Sequence, residues 1–148
     1  MASMRLAFLF LLHLVLDSCS PDQSAGEQAT VSGRWYTPAQ VAAGRRVFES
    51  NCATCHGSEA QGLVEDWRAR EPDGSFPPPP LNGSAHAWHH PRSVLLQVIN
   101  EGGEQLGGKM PPFSDHLRED EKLAAIAYFQ DFWSEEIYAQ WLQMGGVN

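Results

Sequence analysis

The stretch SNCATCHGSEA, residues 50–60, decides how the rest of this 148-residue chain is interpreted. It contains Cys52 and Cys55, separated by two residues, and His56 directly follows the second cysteine. This spacing is compatible with three kinds of site: a zinc site, a redox-active dithiol and a point of covalent haem attachment. Features elsewhere in the chain distinguish these three.

Two of the three interpretations find little support in the remaining residues. A structural zinc site needs four ligands, typically two pairs, but the only other cysteine is Cys19, near the N-terminus. A thioredoxin-like dithiol is expected at a helix start within a strand–helix–strand frame. Here the cysteines follow a predicted helix, and no segment alternates as a strand. The spacing of the four histidines that follow His56 in the chain fits no closed zinc pattern: His86, His89, His90 and His116.

The N-terminus predicts export. Residues 6–16, LAFLFLLHLVL, form an apolar run of about 11 residues after a single positive charge, which is typical of a signal-peptide core and too short to cross a bilayer. We therefore expect a signal peptide over residues 1–18. The following residues 16–19, LDSC, resemble the lipobox of bacterial lipoproteins, which predicts a lipidated Cys19 and a membrane-anchored protein in the periplasm. Cleavage near Ala25 is the alternative, because Asp17 is unusual in a lipobox.

The domain organisation follows from composition and patterning. Residues 19–35 lack periodicity and are expected to form a flexible tether, followed by one folded domain over residues 36–148. The net charge is -8, from 10 Lys and Arg against 18 Asp and Glu. This balance excludes nucleic acid as a partner and favours basic protein partners.

The folded part is predicted to be all-α, with four main helices. Thr37 and Pro38 have the residue types of an N-cap and a first helical position, and Gly44 on the buried face of that helix indicates a close helix crossing. A long irregular region containing four consecutive prolines separates the first two helices, and such loops normally wrap around something or are functional. The predicted helical segments begin with Pro38 and cover residues up to 51, 91–100, 118–133 and 134–144.

Haem attachment accounts for more of the residues than either alternative. In C-x-x-C-H the thiols of Cys52 and Cys55 form thioethers with the porphyrin, and His56 lies beneath the iron as its proximal ligand. Haem of this type is attached outside the cytoplasm, in agreement with the predicted export. Met110, in the loop GGKMPPF (107–113), is poorly placed for a core and well placed as the distal ligand. A histidine from the set named above is the alternative distal ligand.

Residues 36–133 resemble a class I c-type cytochrome. The resemblance rests on the first helix with Gly44 and Phe48, CATCHG, the proline loop, KMPPF, and the last helix with Tyr128 in AIAYF. It implies an all-α, class I cytochrome c-like fold around one covalently bound haem c. It also implies that the first and last helices cross at these glycine and aromatic residues. Finally, it implies that the carbonyl of a proline accepts a hydrogen bond from the proximal imidazole; two prolines match, Pro79 and Pro80.

Further expectations concern the haem surroundings and the function. Trp88 is predicted either to donate its indole N–H to a haem propionate or to pack in the core. The 57–76 insertion and the 133–144 tail are longer than in small family members. We expect a monomeric one-electron carrier with no catalysis of its own, acting between redox partner proteins. The alternatives are a haem subunit of an oxidase or dehydrogenase complex, a peroxidase-like protein and a ligand-sensing haem protein.

Overall fold

The computed structural model describes residues 33–148. The predicted signal peptide, Cys19 and most of the predicted tether lie outside the described residues. Residues 33–148 contain no β-strand, which confirms the all-α prediction, and none of their helices is long and apolar enough to cross a membrane. The α-helices are α1 (Pro38–Asn51), α2 (Ala53–His56), α3 (Arg92–Glu101), α4 (Glu119–Asp131) and α5 (Glu135–Gln143), with short 3-10 turns at Ala87–His89 and Glu104–Leu106.

Helix α1 begins where the sequence predicts. The Thr37 hydroxyl accepts a hydrogen bond from the Gln40 N–H, and the Gln40 side chain accepts one from the Thr37 N–H. This reciprocal cap satisfies two of the N–H groups that a helix start leaves without partners. Pro38 occupies the first turn, where its missing N–H costs nothing.

The crossing of α1 and α4 confirms the role predicted for Gly44. A Cβ atom at Gly44 would lie 1.8 Å from the carbonyl oxygen of Ala124 and 3.0 Å from the Cβ atom of Tyr128. The two backbones can therefore approach this closely only because Gly44 has no side chain. Beside this contact, the rings of Phe48 and Tyr128 pack with their centroids 5.2 Å apart.

Helix α4 is buried around its whole circumference over residues 124–130. Every residue from Ala124 to Gln130 is buried, and Leu123 is half-buried. The reason is that α4 packs against α1 on one side and α3 on another, while residues 34–35 and the segment after α4 cover its C-terminal end. A helix with so many neighbours loses the one-sided pattern.

The folded domain begins earlier than predicted. Arg34, assigned to the tether from sequence, is only 6% exposed. Its guanidinium donates hydrogen bonds to the carbonyl oxygens of Gln130 (2.9 Å) and Trp133 (2.8 Å), and lies 4.2 Å from the centroid of the Tyr138 ring. Trp35, also assigned to the tether, donates its indole N–H to the Gln130 side chain. Both residues therefore belong to the fold.

The C-terminal tail is integrated into the core as well. Trp133, Tyr138 and Trp141 are buried and pack edge-on or tilted against one another. The chain end then covers the start of α3, where the Arg92 N–H donates to the Gly146 carbonyl oxygen at 2.7 Å. Thus α5 and the last residues complete the domain that holds the long loop in place.

Candidate functional site

The two cysteines and the histidine lie on a single helical turn that continues α1. Cys52 ends α1, where its N–H donates to the Phe48 carbonyl oxygen at 2.8 Å. The N–H groups of Cys55 (3.1 Å) and His56 (2.9 Å) both donate to the Cys52 carbonyl oxygen. Since Phe48 is 1% exposed, this turn is anchored directly to the α1–α4 crossing.

Burial and one hydrogen bond determine the state of His56. The ring is 7% exposed, and its Nδ1 atom lies 2.9 Å from the carbonyl oxygen of Pro79. A carbonyl oxygen only accepts, so Nδ1 carries the proton and Nε2 of the neutral ring retains its lone pair. Burial lowers the pKa of His56, while the Pro79 contact opposes that shift. The neutral imidazole is therefore favoured and presents Nε2 as a metal ligand.

Of the two prolines left open by the sequence, Pro79 is the one that contacts His56. Pro80 instead packs over Gly62, where a Cβ atom would lie 3.1 Å from the proline ring. The Gly62 N–H donates to the His56 carbonyl oxygen at 2.7 Å. The polypeptide after His56 therefore folds back against the proline run.

Ala60 holds the proline run in register, a role that has no signature in the sequence. Its carbonyl oxygen accepts hydrogen bonds from the N–H groups of Leu81 (2.7 Å) and Asn82 (3.1 Å), directly after the prolines. Ala60 is fully buried and has a left-handed backbone with φ of 56°. A non-glycine residue in this region is strained, so the surrounding contacts must maintain it.

Two further hydrogen bonds fix this part of the chain. The Tyr128 hydroxyl on α4 donates to the Ser58 carbonyl oxygen at 2.9 Å, just after the histidine. The Trp133 indole N–H donates to the Leu81 carbonyl oxygen at 2.7 Å. Neither bond could be predicted from the sequence, because the acceptors are distant backbone groups.

The main chain of Met110 is held at the end of α3. Its carbonyl oxygen accepts a hydrogen bond from the Gly103 N–H at 2.9 Å, and Met110 is half-buried. A Cβ atom at Gly102 would lie 2.7 Å from that oxygen, and one at Gly103 would lie 3.1 Å from the Met110 Cβ atom. The glycine pair that ends α3 therefore also makes room for the methionine loop.

Trp88 is half-buried and packs against the core cluster. Its ring lies edge-on to His89, with centroids 3.9 Å apart. The indole N–H groups of three other tryptophans, Trp35, Trp133 and Trp141, donate to protein oxygens. Core packing of Trp88 is thus observed, and its predicted bond to a haem propionate stays a prediction.

The four histidines after His56 belong to no metal-binding group in the part of the chain that the structure describes. Among residues 33–148, no group of three or more histidine, cysteine or acidic side chains is arranged to hold a metal ion. His86 stacks on Trp67 with centroids 4.8 Å apart and lies edge-on to His90. His116 is exposed. Of these histidines, His86 packs against the 57–76 insertion through Trp67.

The cysteines fit haem attachment better than the two alternatives. Both thiols are free in the structure. Burial, and secondarily the neighbouring Cys55, raises the pKa of the Cys52 thiol to about 11. A redox-active dithiol requires a depressed thiol pKa instead. With an unprotonated Nε2 atom on the same turn, this donor set fits a covalently held haem.

An all-helical domain with this turn and this methionine loop is a cytochrome c domain, whose members transfer electrons. Its two cysteines, Cys52 and Cys55, imply covalently attached haem c. Residues 39–129 match the model of the family described as cytochrome c oxidase, cbb3-type, subunit III, and the chain belongs to this family.

Characterised relatives include both oxidase subunits and a small cytochrome. The chain is 35% identical over 94 residues to the cbb3-type cytochrome c oxidase subunit FixP of Sinorhizobium medicae, a match that covers 60% of the chain and 28% of the relative. It is 29% identical over 108 residues to the subunit CcoP of Azospirillum sp., covering 73% and 33% respectively. The chain thus spans about a third of the length of these oxidase subunits.

Cytochrome c6 of Tetradesmus obliquus is 29% identical over 93 residues, which cover 63% of the chain and 91% of that protein. The similarity therefore extends over almost the whole of a small cytochrome. No solved structure matches the chain significantly.

Proposed function

We propose that this protein is a one-electron carrier with a single haem c, attached through Cys52 and Cys55 and ligated by His56 and Met110. The observation that carries the proposal is the hydrogen bond from His56 Nδ1 to the Pro79 carbonyl oxygen. His56 lies on the same helical turn as the thiols of Cys52 and Cys55, which form no disulfide. The hydrogen bond orients the ring and increases its donor strength towards a metal on the opposite nitrogen.

The polypeptide contributes ligands, orientation and exclusion of water. When bound, haem c supplies the one-electron iron couple. His56 and Met110 are the residues that would hold the iron, and with both of them bound no position would remain for a substrate. Ligation by a methionine together with a histidine would raise the reduction potential. Several half-buried apolar residues near these loops are candidates to cover the porphyrin: Leu81, Trp88, Leu96, Ile99 and Phe113.

An absorption spectrum of the haem-loaded protein tests the ligand set. We expect a low-spin ferric spectrum with the weak red-edge band of sulfur ligation. Met110→Leu should abolish this band, whereas the control Met144→Leu should retain it, because Met144 is a methionine 53% exposed on the surface beyond α5. A high-spin spectrum of the wild type would refute the carrier proposal. A low-spin spectrum without the band would show that Met110 is not the distal ligand and would favour a histidine in that role.

A second candidate function is that of a haem subunit in an oxidase complex. It is favoured by the family match and by the oxidase subunits among the relatives. Copurification of the native protein from its own membrane, followed by assay of the recovered material for oxygen reduction, distinguishes the two. A stoichiometric oxidase partner establishes the subunit, whereas recovery as a monomer supports the carrier.

We also propose export to the periplasm, with anchoring to a membrane through lipidated Cys19. The proposal rests on the apolar run of residues 6–16 and on LDSC. Mass spectrometry of the mature N-terminus should find a lipid-modified Cys19, and Cys19→Ser should release the protein from membranes. An unmodified terminus downstream of Cys19 would refute lipidation.

A further inference from the structure

The 57–76 insertion contains a turn that contacts the loop carrying Met110. Residues 71–75, here named the acidic turn, are closed by hydrogen bonds from the Glu71 N–H to the Ser75 carbonyl oxygen and from the Gly74 N–H to the Glu71 carbonyl oxygen, both 2.8 Å. Lys109 lies across from it. Its Nζ atom is 2.7 Å from Glu71 Oε2 and 2.6 Å from Asp73 Oδ2. One lysine thus pairs with two carboxylates of the same turn.

Backbone and aromatic contacts join the same two segments. The Phe76 N–H donates to the Gly107 carbonyl oxygen at 2.8 Å. A Cβ atom at Gly107 would lie 3.4 Å from the Phe76 ring, and the guanidinium of Arg70 covers this ring at 4.0 Å from its centroid. The insertion therefore contacts the methionine loop at two residues, Gly107 and Lys109.

Met110 is consequently held from both sides. The acidic turn pairs with Lys109, the residue directly before Met110, and the Gly103 N–H donates to the Met110 carbonyl oxygen. We propose that the acidic turn is a clamp that positions the Met110 thioether, so that Glu71 and Asp73 are positioning residues for the distal ligand. This inference rests on the proposed ligation by Met110. It assigns a role to part of the 57–76 insertion.

The exposure of the ion pairs determines the size and character of the effect. The side chains of Lys109, Glu71 and Asp73 are 56%, 38% and 54% exposed. Exposed pairs contribute little to global stability and are screened by salt. Loss of the clamp should therefore leave the fold intact and loosen the methionine loop alone.

The test is displacement of Met110 by imidazole in the haem-loaded full chain, followed by loss of the red-edge band. For Glu71→Gln/Asp73→Asn we expect half-displacement at a roughly two- to tenfold lower imidazole concentration, a range set by the strength of exposed ion pairs. The control Glu59→Gln/Glu65→Gln removes two carboxylates from the same insertion, and neither forms an ion pair among residues 33–148. Its midpoint should equal that of the wild type. A double clamp variant with an unchanged midpoint would overturn the inference.

Amide hydrogen exchange separates failure of the clamp from failure of the proposed ligation. If the wild type lacks the red-edge band, Met110 is not the ligand and the proposed positioning of a distal ligand falls with it. If the band is present, exchange in residues 103–110 should be at least twofold faster in Glu71→Gln/Asp73→Asn than in Glu59→Gln/Glu65→Gln. Equal exchange in the two variants would show that the acidic turn does not hold the loop.

Discussion

The substitution Gly44→Ala tests the helix crossing on which the haem-attachment turn depends. The added Cβ atom would lie 1.8 Å from the Ala124 carbonyl oxygen, about 1.2 Å short of the 3.0 Å below which real Cβ atoms are essentially never found. The obstacle is backbone, which cannot rotate away as a flexible side chain would. Helices α1 and α4 must therefore move apart.

The magnitude follows from two opposing effects. Overpacking of a rigid site costs about 3 kcal/mol, the upper end of the usual range, because separation also weakens dispersion along the whole interface. Replacement of glycine by alanine within a helix returns about 1 kcal/mol. We expect a net loss of at least about 2 kcal/mol, or roughly 10 °C in the unfolding midpoint.

Chemical and thermal unfolding of the haem-loaded protein, followed by circular dichroism, measures this loss. The control is Ala42→Gly at an exposed position of the same helix, which should cost about 1 kcal/mol through helix propensity alone. Gly44→Ala with stability equal to or above the wild type would refute the close-packing argument. A Gly44→Ala protein too unstable to be isolated, alongside a folded Ala42→Gly control, would agree with it.

Three further predictions concern buried polar groups. Tyr128→Phe removes the hydrogen bond to the Ser58 carbonyl oxygen and should cost about 1 kcal/mol in denaturant unfolding; no loss would show that this bond is replaced by water. Arg34→Met leaves the buried Trp133 carbonyl oxygen without its donor and the Gln130 carbonyl oxygen with the Trp133 N–H alone, and it should cost about 2–3 kcal/mol, contradicted by a loss below about 1 kcal/mol. Burial, with the nearby charges of His90, His89 and Arg68, lowers the pKa of His86 in the folded protein. In the unfolded chain His86 has its usual pKa of about 6.5, so the unfolded chain binds more protons than the folded protein as the pH falls below that value. Stability should fall as the pH is lowered from 7 to 5, and the fall should be smaller in His86→Phe; equal slopes would exclude His86 as a contributor.

The sequence alone determined the helices and the nature of the site, because both depend on local patterns. The cap at Thr37, the proline at the start of α1 and the glycine at the end of α3 are decided within a few residues. The C-x-x-C-H spacing is equally local, since one helical turn presents all its groups. Gly44 was informative because a glycine on a buried helix face costs helix stability, and close packing of a second helix compensates that cost.

The tertiary structure decided the contacts between distant residues. Pro79 and Pro80 are chemically identical in sequence, and only the fold-back after His56 selects Pro79. Arg34 lies in a polar segment without periodicity, yet it is buried and donates hydrogen bonds to carbonyl oxygens about a hundred residues away in the chain. The left-handed backbone of Ala60 has no local signature, because alanine avoids that conformation unless its surroundings impose it. Residue type and spacing thus determined which groups can hold a haem, whereas long-range packing determined which backbone oxygen orients the histidine and which residues lie beside the methionine loop.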